Sequence, residues 1–261
     1  MDELFNKKTL SMKVTLPSRG QLYGGLLPSG EVEVSAMTTM EEKILAGSGG
    51  TASSKLDTIL SRCTKLPEGI KADDLLISDR FYLLLIVRSL SYGSKYGYQV
   101  RCPDCSTRSD KEIDLLTDLD VKLYPEGSPV AEPFHIKLPH SGDDLGFRLL
   151  RGSDEKAITK FSESKFAKVD DVGDPAYIHR MARQIKNING KDVNVLEAQA
   201  YVEKMYSPDS LALRDAIEEA DCGTDMEVKE ECRNCGSHYE TTLPFTVEFF
   251  RPRRKKVRTN S

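Results

Sequence analysis

No stretch of this sequence is apolar for long enough to cross a membrane. The longest run, FYLLLIV (residues 81–87), falls far short of the roughly 20 residues a span needs. It follows Asp79-Arg80 and reads as part of a buried core helix. The first ten residues, MDELFNKKTL, lack a basic region followed by an apolar one, so no signal peptide is expected. Histidine is scarce: His135, His140, His179 and His238 are the whole set, and no two of them form a helical metal-binding pair. Nucleophile-elbow, phosphate-loop and dinucleotide fingerprints are missing. The glycine-rich stretch from Gly20 to Gly25 has no following Lys-Ser/Thr to serve a phosphate. Asp143-Asp144 and Asp170-Asp171 read as solvated loop carboxylates. Only together with a closed metal site do these absences favour a non-enzyme. The net charge of −4 gives no general pull toward nucleic acid.

What is present is a chain of 261 residues, 39% hydrophobic and 30% charged. That is enough for a true core in one or two soluble domains. Ser11–Leu16 (SMKVTL) alternates apolar with polar residues, the period of a half-buried strand. The turn-rich PSRGQLYGG follows, and Glu31–Val34 (EVEV) predicts a second strand. A helix is expected from Thr38 or Thr39, with Glu41 and Glu42 favourably placed in its first turn. GSGGTASS (residues 47–54) reads as a flexible loop, and Lys55–Arg62 as a short amphipathic helix. A core helix is expected from about Ile77 to Ser91, capped by Ser78 or Asp79. Residues 114–150 read as irregular or strand. Further helices are expected from Ser153, from Asp174-Pro175, from Leu196 to Met205 and from Ser207-Pro208, with a short strand at Val193–Val195.

Six cysteines remain to be placed. Without a secretory signal, paired cysteines favour metal or redox use over a disulfide framework. RCPDCST (residues 101–107) and ECRNCGS (residues 231–237) each carry a Cys-x-x-Cys hook. Each hook sits between β-like segments, Gly97–Ile113 and Glu227–Phe245. Two such knuckles can place Cys102, Cys105, Cys232 and Cys235 at the corners of a tetrahedron with sulfurs about 2.3 Å from a metal. Four thiolates with no open position make a structural site, and zinc suits soft sulfur ligands in that geometry. Gly236 fits a position needing positive φ. The usual spacing between hooks is about 15–20 residues, whereas residues 106–231 separate these two. An insertion between two hairpins accommodates that gap, because its ends can lie close together. A redox pair would need a hook opening a helix, and neither does. Unmetallated core cysteines are the other competing reading. His238 reads as a strand residue, since four cysteines fill the site. Cys63 and Cys222 read as small buried hydrophobes.

The fold class expected is therefore α+β. It consists of an N-terminal strand and helix region (1–96), a split zinc ribbon (97–117 and 226–250), a large mainly helical insertion (118–225) and a basic tail (251–261). The tail places six basic residues in RPRRKKVR: Arg251, Arg253, Arg254, Lys255, Lys256 and Arg258. It can contact phosphates, stay solvated or thread along a neighbouring subunit. Asp104, Asp110, Glu112, Glu227, Glu230 and Glu231 make the ribbon itself a poor phosphate binder, which argues against nucleic acid.

Three stretches carry a resemblance. They are LPSRGQLYGG…GEVEVSAMTTMEEKILAG (residues 16–47), RCPDC with its flanks, and SPDSLALRDAIEEADCGTDMEVKEECRNCG (residues 207–236). In this order they resemble the baseplate hub family of contractile-tailed, T-even-like bacteriophages. The resemblance implies a structural or assembly role without catalysis, in the virion tail baseplate, after assembly in the host cytoplasm. It implies hub, tube or wedge proteins as neighbours. Arg19, Tyr23 and the 251–258 tail are the candidate partner contacts, with a local turn packed on the body as the other reading of Arg19 and Tyr23. Two alternatives stand beside a virion component: a transient baseplate-assembly chaperone, and a zinc-ribbon regulator that binds nucleic acid.

Overall fold

The computed structural model describes residues 10–127, 130–166, 173–174, 176–243 and 247–250. It is a mixed α+β protein with several small antiparallel sheets. The N-terminal region contains β1 (Ser11–Thr15), β2 (Glu31–Ser35), α1 (Thr39–Ala46), α2 (Ala52–Cys63), β3 (Thr64–Lys65) and α3 (Ile77–Tyr92). β1, β2 and β3 form one sheet in that order. Val14, Leu16, Val32 and Val34 turn inward from it, and α3 buries Leu83, Leu84, Leu85, Ile86 and Val87 against the same core. The apolar run thus forms a core helix.

Two local readings are corrected. GSGGTASS is not all loop: Thr51 caps α2, its hydroxyl accepting from the Ser54 N–H at 3.2 Å. The helix starts early because Ile59, Leu60 and Cys63 share a buried face that an added turn supports. Neither Ser78 nor Asp79 caps α3, whose N-cap is Leu76 without a side-chain bond. Asp79 turns inward instead, accepting from the Ser18 N–H at 3.0 Å and the Tyr23 hydroxyl at 2.6 Å. A fully buried carboxylate is tolerated there because several donors meet it. Burial still pushes its pKa up.

α1 begins with a capping box. The Glu41 carboxylate accepts from the Thr38 N–H at 2.8 Å and pairs with Arg62 at 2.6 Å. Burial raises the Glu41 pKa, but bonds from the Thr38 hydroxyl and N–H and from Arg62 outweigh it. The pKa falls from 4.5 to about 2. A depressed folded pKa means that this stabilisation is complete above about 4.5 and is lost as the pH falls toward 2. Stability measured by denaturant titration should drop across that window. A Glu41→Gln variant should be less stable at neutral pH and show a smaller drop.

The chain continues through β4 (Lys95–Arg101), β5 (Arg108–Asp114) and β6 (Val121–Lys122). It then builds β7 (Phe134–Lys137), β8 (Asp144–Phe147), α4 (Gly152–Phe166), α5 (Ala176–Gln184), β9 (Ile185–Ile188), β10 (Lys191–Asp192), α6 (Val195–Val202) and α7 (Ser207–Ala220). β11 (Gly223–Thr224), β12 (Glu227–Glu231) and β13 (His238–Thr242) complete it. Residues 118–225 contain a four-stranded sheet as well as helices, in the order β10-β9-β8-β7. The strand expected at Val193–Val195 is displaced: Lys191–Asp192 pairs with Asn187–Ile188, and Asn194 caps α6. Gly146 in β8 lies against Asn187 of β9, where a Cβ would fall 2.3 Å from that side chain. The sheet and its helices enclose a second core that includes Leu138, Leu145, Phe147, Met181, Ala198 and Leu213.

β6 and β11 pair antiparallel, and the Asp225 N–H donates to the Asp120 carbonyl at 2.8 Å. The two ends of the long segment between the hooks are therefore clipped together beside the hairpins.

Candidate metal centre

β4 and β5 form one hairpin and β12 and β13 another, and the two do not share a sheet. Each hook lies at a hairpin tip, and the two tips are built alike. Cys102 N–H donates to the Thr107 carbonyl at 3.0 Å, and Ser106 N–H to the Cys102 carbonyl at 3.0 Å. Cys232 N–H donates to the Ser237 carbonyl at 2.9 Å, and Gly236 N–H to the Cys232 carbonyl at 2.8 Å. The residue after the second cysteine has positive φ in both, 59° at Ser106 and 72° at Gly236. Glycine adopts that conformation freely and serine does not.

The tips bring four sulfurs together. Cys102 Sγ lies 3.7 Å from Cys235 Sγ, and Cys105 Sγ 3.6 Å from Cys232 Sγ. All four lie within 4.8 Å of one another. These separations are too long for disulfide bonds. A tetrahedron with 2.3 Å metal–sulfur bonds has edges of about 3.8 Å, so the donor set fits a four-coordinate soft metal. Cys102 and Cys232 are buried, Cys105 is half-buried and Cys235 is exposed.

Local electrostatics also suit a cation. Hydrogen bonding with the Thr107 hydroxyl and backbone, then with Asn234, pulls the Cys105 thiol down to about 5. These bonds favour its ionised form. At Cys235 the Ser237 backbone lowers the pKa, but the adjacent Cys105, Cys232 and Cys102 sulfurs outweigh it and leave it at about 12. Four sulfurs this close do not all ionise unless a positive charge sits among them. His238 is an exposed residue of β13 paired with Glu231 and is not in the cluster.

Beneath the sulfurs the hairpins meet through side chains. Glu230 accepts from the Tyr98 hydroxyl and pairs with Lys111. Lys111 Nζ also reaches the Glu231 carbonyl at 3.0 Å, and the Ser237 hydroxyl donates to Asp104. Val100 and Val228, from the two hairpins, are buried as part of the first core. No local pattern marks Glu230 as a bridging residue, because its partners lie more than a hundred residues away. A groove beside this contact is lined by Glu112, Asp118, Asp120, Asp225, Glu227 and Glu240.

The other cysteines stand apart. Burial pushes Cys63 up to about 12, and Cys222 packs under Ser78 with its thiol also raised by burial. Tyr23 is 5% exposed. Its hydroxyl accepts from the Leu76 N–H at 2.9 Å, and its ring lies 5.5 Å from the Arg151 guanidinium carbon. It packs the turn onto the body. Arg19 is half-buried and pairs with Glu126. Arg251, Arg253, Arg254, Lys255, Lys256 and Arg258, like Asp170-Asp171, lie outside the described residues.

The four clustered sulfurs on a two-hairpin frame are compatible with a metal site. A family model described as T4 bacteriophage base plate protein matches residues 9–251, and the chain belongs to that family. Membership places it among phage baseplate proteins. No curated protein and no solved structure matches it. Among the described residues no helix is long and apolar enough to cross a membrane.

Proposed function

We propose that this chain is a structural component of the baseplate hub, without catalytic activity. It binds neighbouring hub, tube or wedge proteins and is stabilised by one zinc ion. Cys102, Cys105, Cys232 and Cys235 hold the zinc as thiolates, completing a split zinc ribbon. The observation that carries this reading is the four-sulfur cluster, with the edge lengths of a tetrahedral site. Bound zinc supplies charge that lets all four thiolates coexist, and it ties together hairpins that share no backbone bonds. Tyr98, Lys111 and Glu230 orient the hairpins beneath it. The carboxylate-lined groove beside the ribbon repels phosphate, which disfavours the nucleic-acid alternative.

Quantitative mass spectrometry of purified phage particles tests the placement. The chain should be present in fixed proportion to other baseplate proteins. Absence from mature particles, with presence in assembly intermediates, would make it a transient assembly chaperone made and used in the host cytoplasm.

A further inference from the structure

β1 ends its sheet on the outer side, and among the described residues no strand pairs beyond it. Two hydrogen bonds fix the phase of its pairing with β2. Ala36 N–H donates to the Leu10 carbonyl and Leu16 N–H to the Gly30 carbonyl, both at 2.8 Å. Bonded positions alternate along an antiparallel pair. Leu10, Met12, Val14 and Leu16 therefore bond inward, while the N–H and C=O groups of Ser11, Lys13 and Thr15 point outward. Side chains alternate as well. Val14 and Leu16 are buried, but Met12 and Leu10 on the same face are 42% and 67% exposed. Val34 and Val32, opposite Met12 and Val14 on β2, are buried. The apolar face of the sheet thus runs on to its edge and is left open there.

Charge defines what fits. Across the sheet Lys13 faces Glu33, and Glu33 faces Lys65, with Lys65 Nζ 3.0 Å from Glu33 Oε2. A further strand continues this alternation by placing a carboxylate opposite Lys13 and apolar residues opposite Met12 and Val14. β2 itself, EVEVS, has that pattern. A second copy of β1 is a poor occupant, since the symmetric antiparallel pairing sets lysine against lysine.

We propose that the outer edge of β1 is a strand-addition site for an extended, alternately acidic and apolar segment of a different tail protein. The assignment of that partner to the tail rests on the function proposed above, whereas the edge and its preference do not. The test is a fluorescence-anisotropy titration of the full chain with a labelled peptide containing Glu-Val-Glu-Val-Ser. Saturable binding is expected. Lys13→Pro removes one outward N–H and leaves the bonds to β2, so it should retain the fold and weaken binding by about tenfold or more. Lys13→Glu should weaken it about threefold and favour a Lys-Val-Lys-Val-Ser peptide instead; this swap stands as the test if Lys13→Pro does not fold. No binding by the wild type, equal binding by the variants, or a dimer of the wild type that Lys13→Pro abolishes would each overturn the proposal. Absence of the chain from particles would remove the partner's identity and leave the titration unaffected.

Discussion

Cys102→Ser will strip the chain of bound metal and loosen the two hairpins while leaving the second core folded. A lone two-stranded hairpin is marginal in water, and among the described residues these two share no sheet and meet through side chains and the sulfur cluster. Cys102 is 2% exposed, so a hydroxyl in its place is buried at a poor ligand position. Structural zinc contributes roughly 10–16 kcal/mol of apparent binding free energy in small peptides. This chain has other cores, so only part of such a contribution appears as global stability. A loss of about 5 kcal/mol lowers Tm by roughly 10–20 °C for a chain of this size. Hydrogen exchange should accelerate in β4, β5, β12 and β13. Leu145, Ala182, Ala198 and Leu213 belong to the separate second core, and their amides should keep their protection. Cys63→Ala should leave metal content unchanged, because Cys63 lies outside the cluster.

Asp154→Ala will cost about 3–5 kcal/mol, the second large effect. Asp154 is 2% exposed at the start of α4. Its carboxylate takes Arg148 in a two-point bond, at 2.6 and 2.8 Å, and Arg183 Nε at 3.0 Å. It also accepts from the Arg151 N–H at 3.0 Å. Burial pushes its pKa up, but the bonds from Arg148 and Arg151 and the charge of Arg148 outweigh that and hold it below the usual range. Removing the carboxylate leaves two half-buried guanidiniums without their counter-ion, and breaking such pairs is strongly destabilising. Tm should fall by roughly 6–20 °C, with α5 loosened against α4. The sign with pH follows from the depressed pKa. The stabilisation is complete above the ordinary carboxylate range and is lost as the pH falls through the folded value. The gap between wild type and Asp154→Ala should therefore narrow in acid.

Much of this architecture is legible in residue patterns. FYLLLIV has no polar face, so α3 had to lie inside, and the two hooks with β-like flanks brought the four cysteines together across residues 106–231. The helix start near Thr38, with Glu41 in its first turn, was legible, and the structure adds the capping box between them. Failures came where distant residues decide. Asp79 has the form of a helix cap, yet Ser18 and Tyr23 supply better donors from a loop some sixty positions away. Tyr23, in a glycine-rich turn, carries no local sign that Asp79, Leu76 and Arg151 will enclose it. The sheet in residues 118–225 was legible only as irregular or strand over 114–150, because β7, β8 and β9 have four residues each. A period of two is hard to detect over so few positions. β8 also finds its partner some forty residues later, across two helices.

Native mass spectrometry of the folded chain, purified without added metal or chelator, tests the central claim most directly. The account predicts a single dominant species carrying one zinc ion, converted to the metal-free mass by Cys102→Ser. A folded wild-type chain found entirely at its metal-free mass would contradict it.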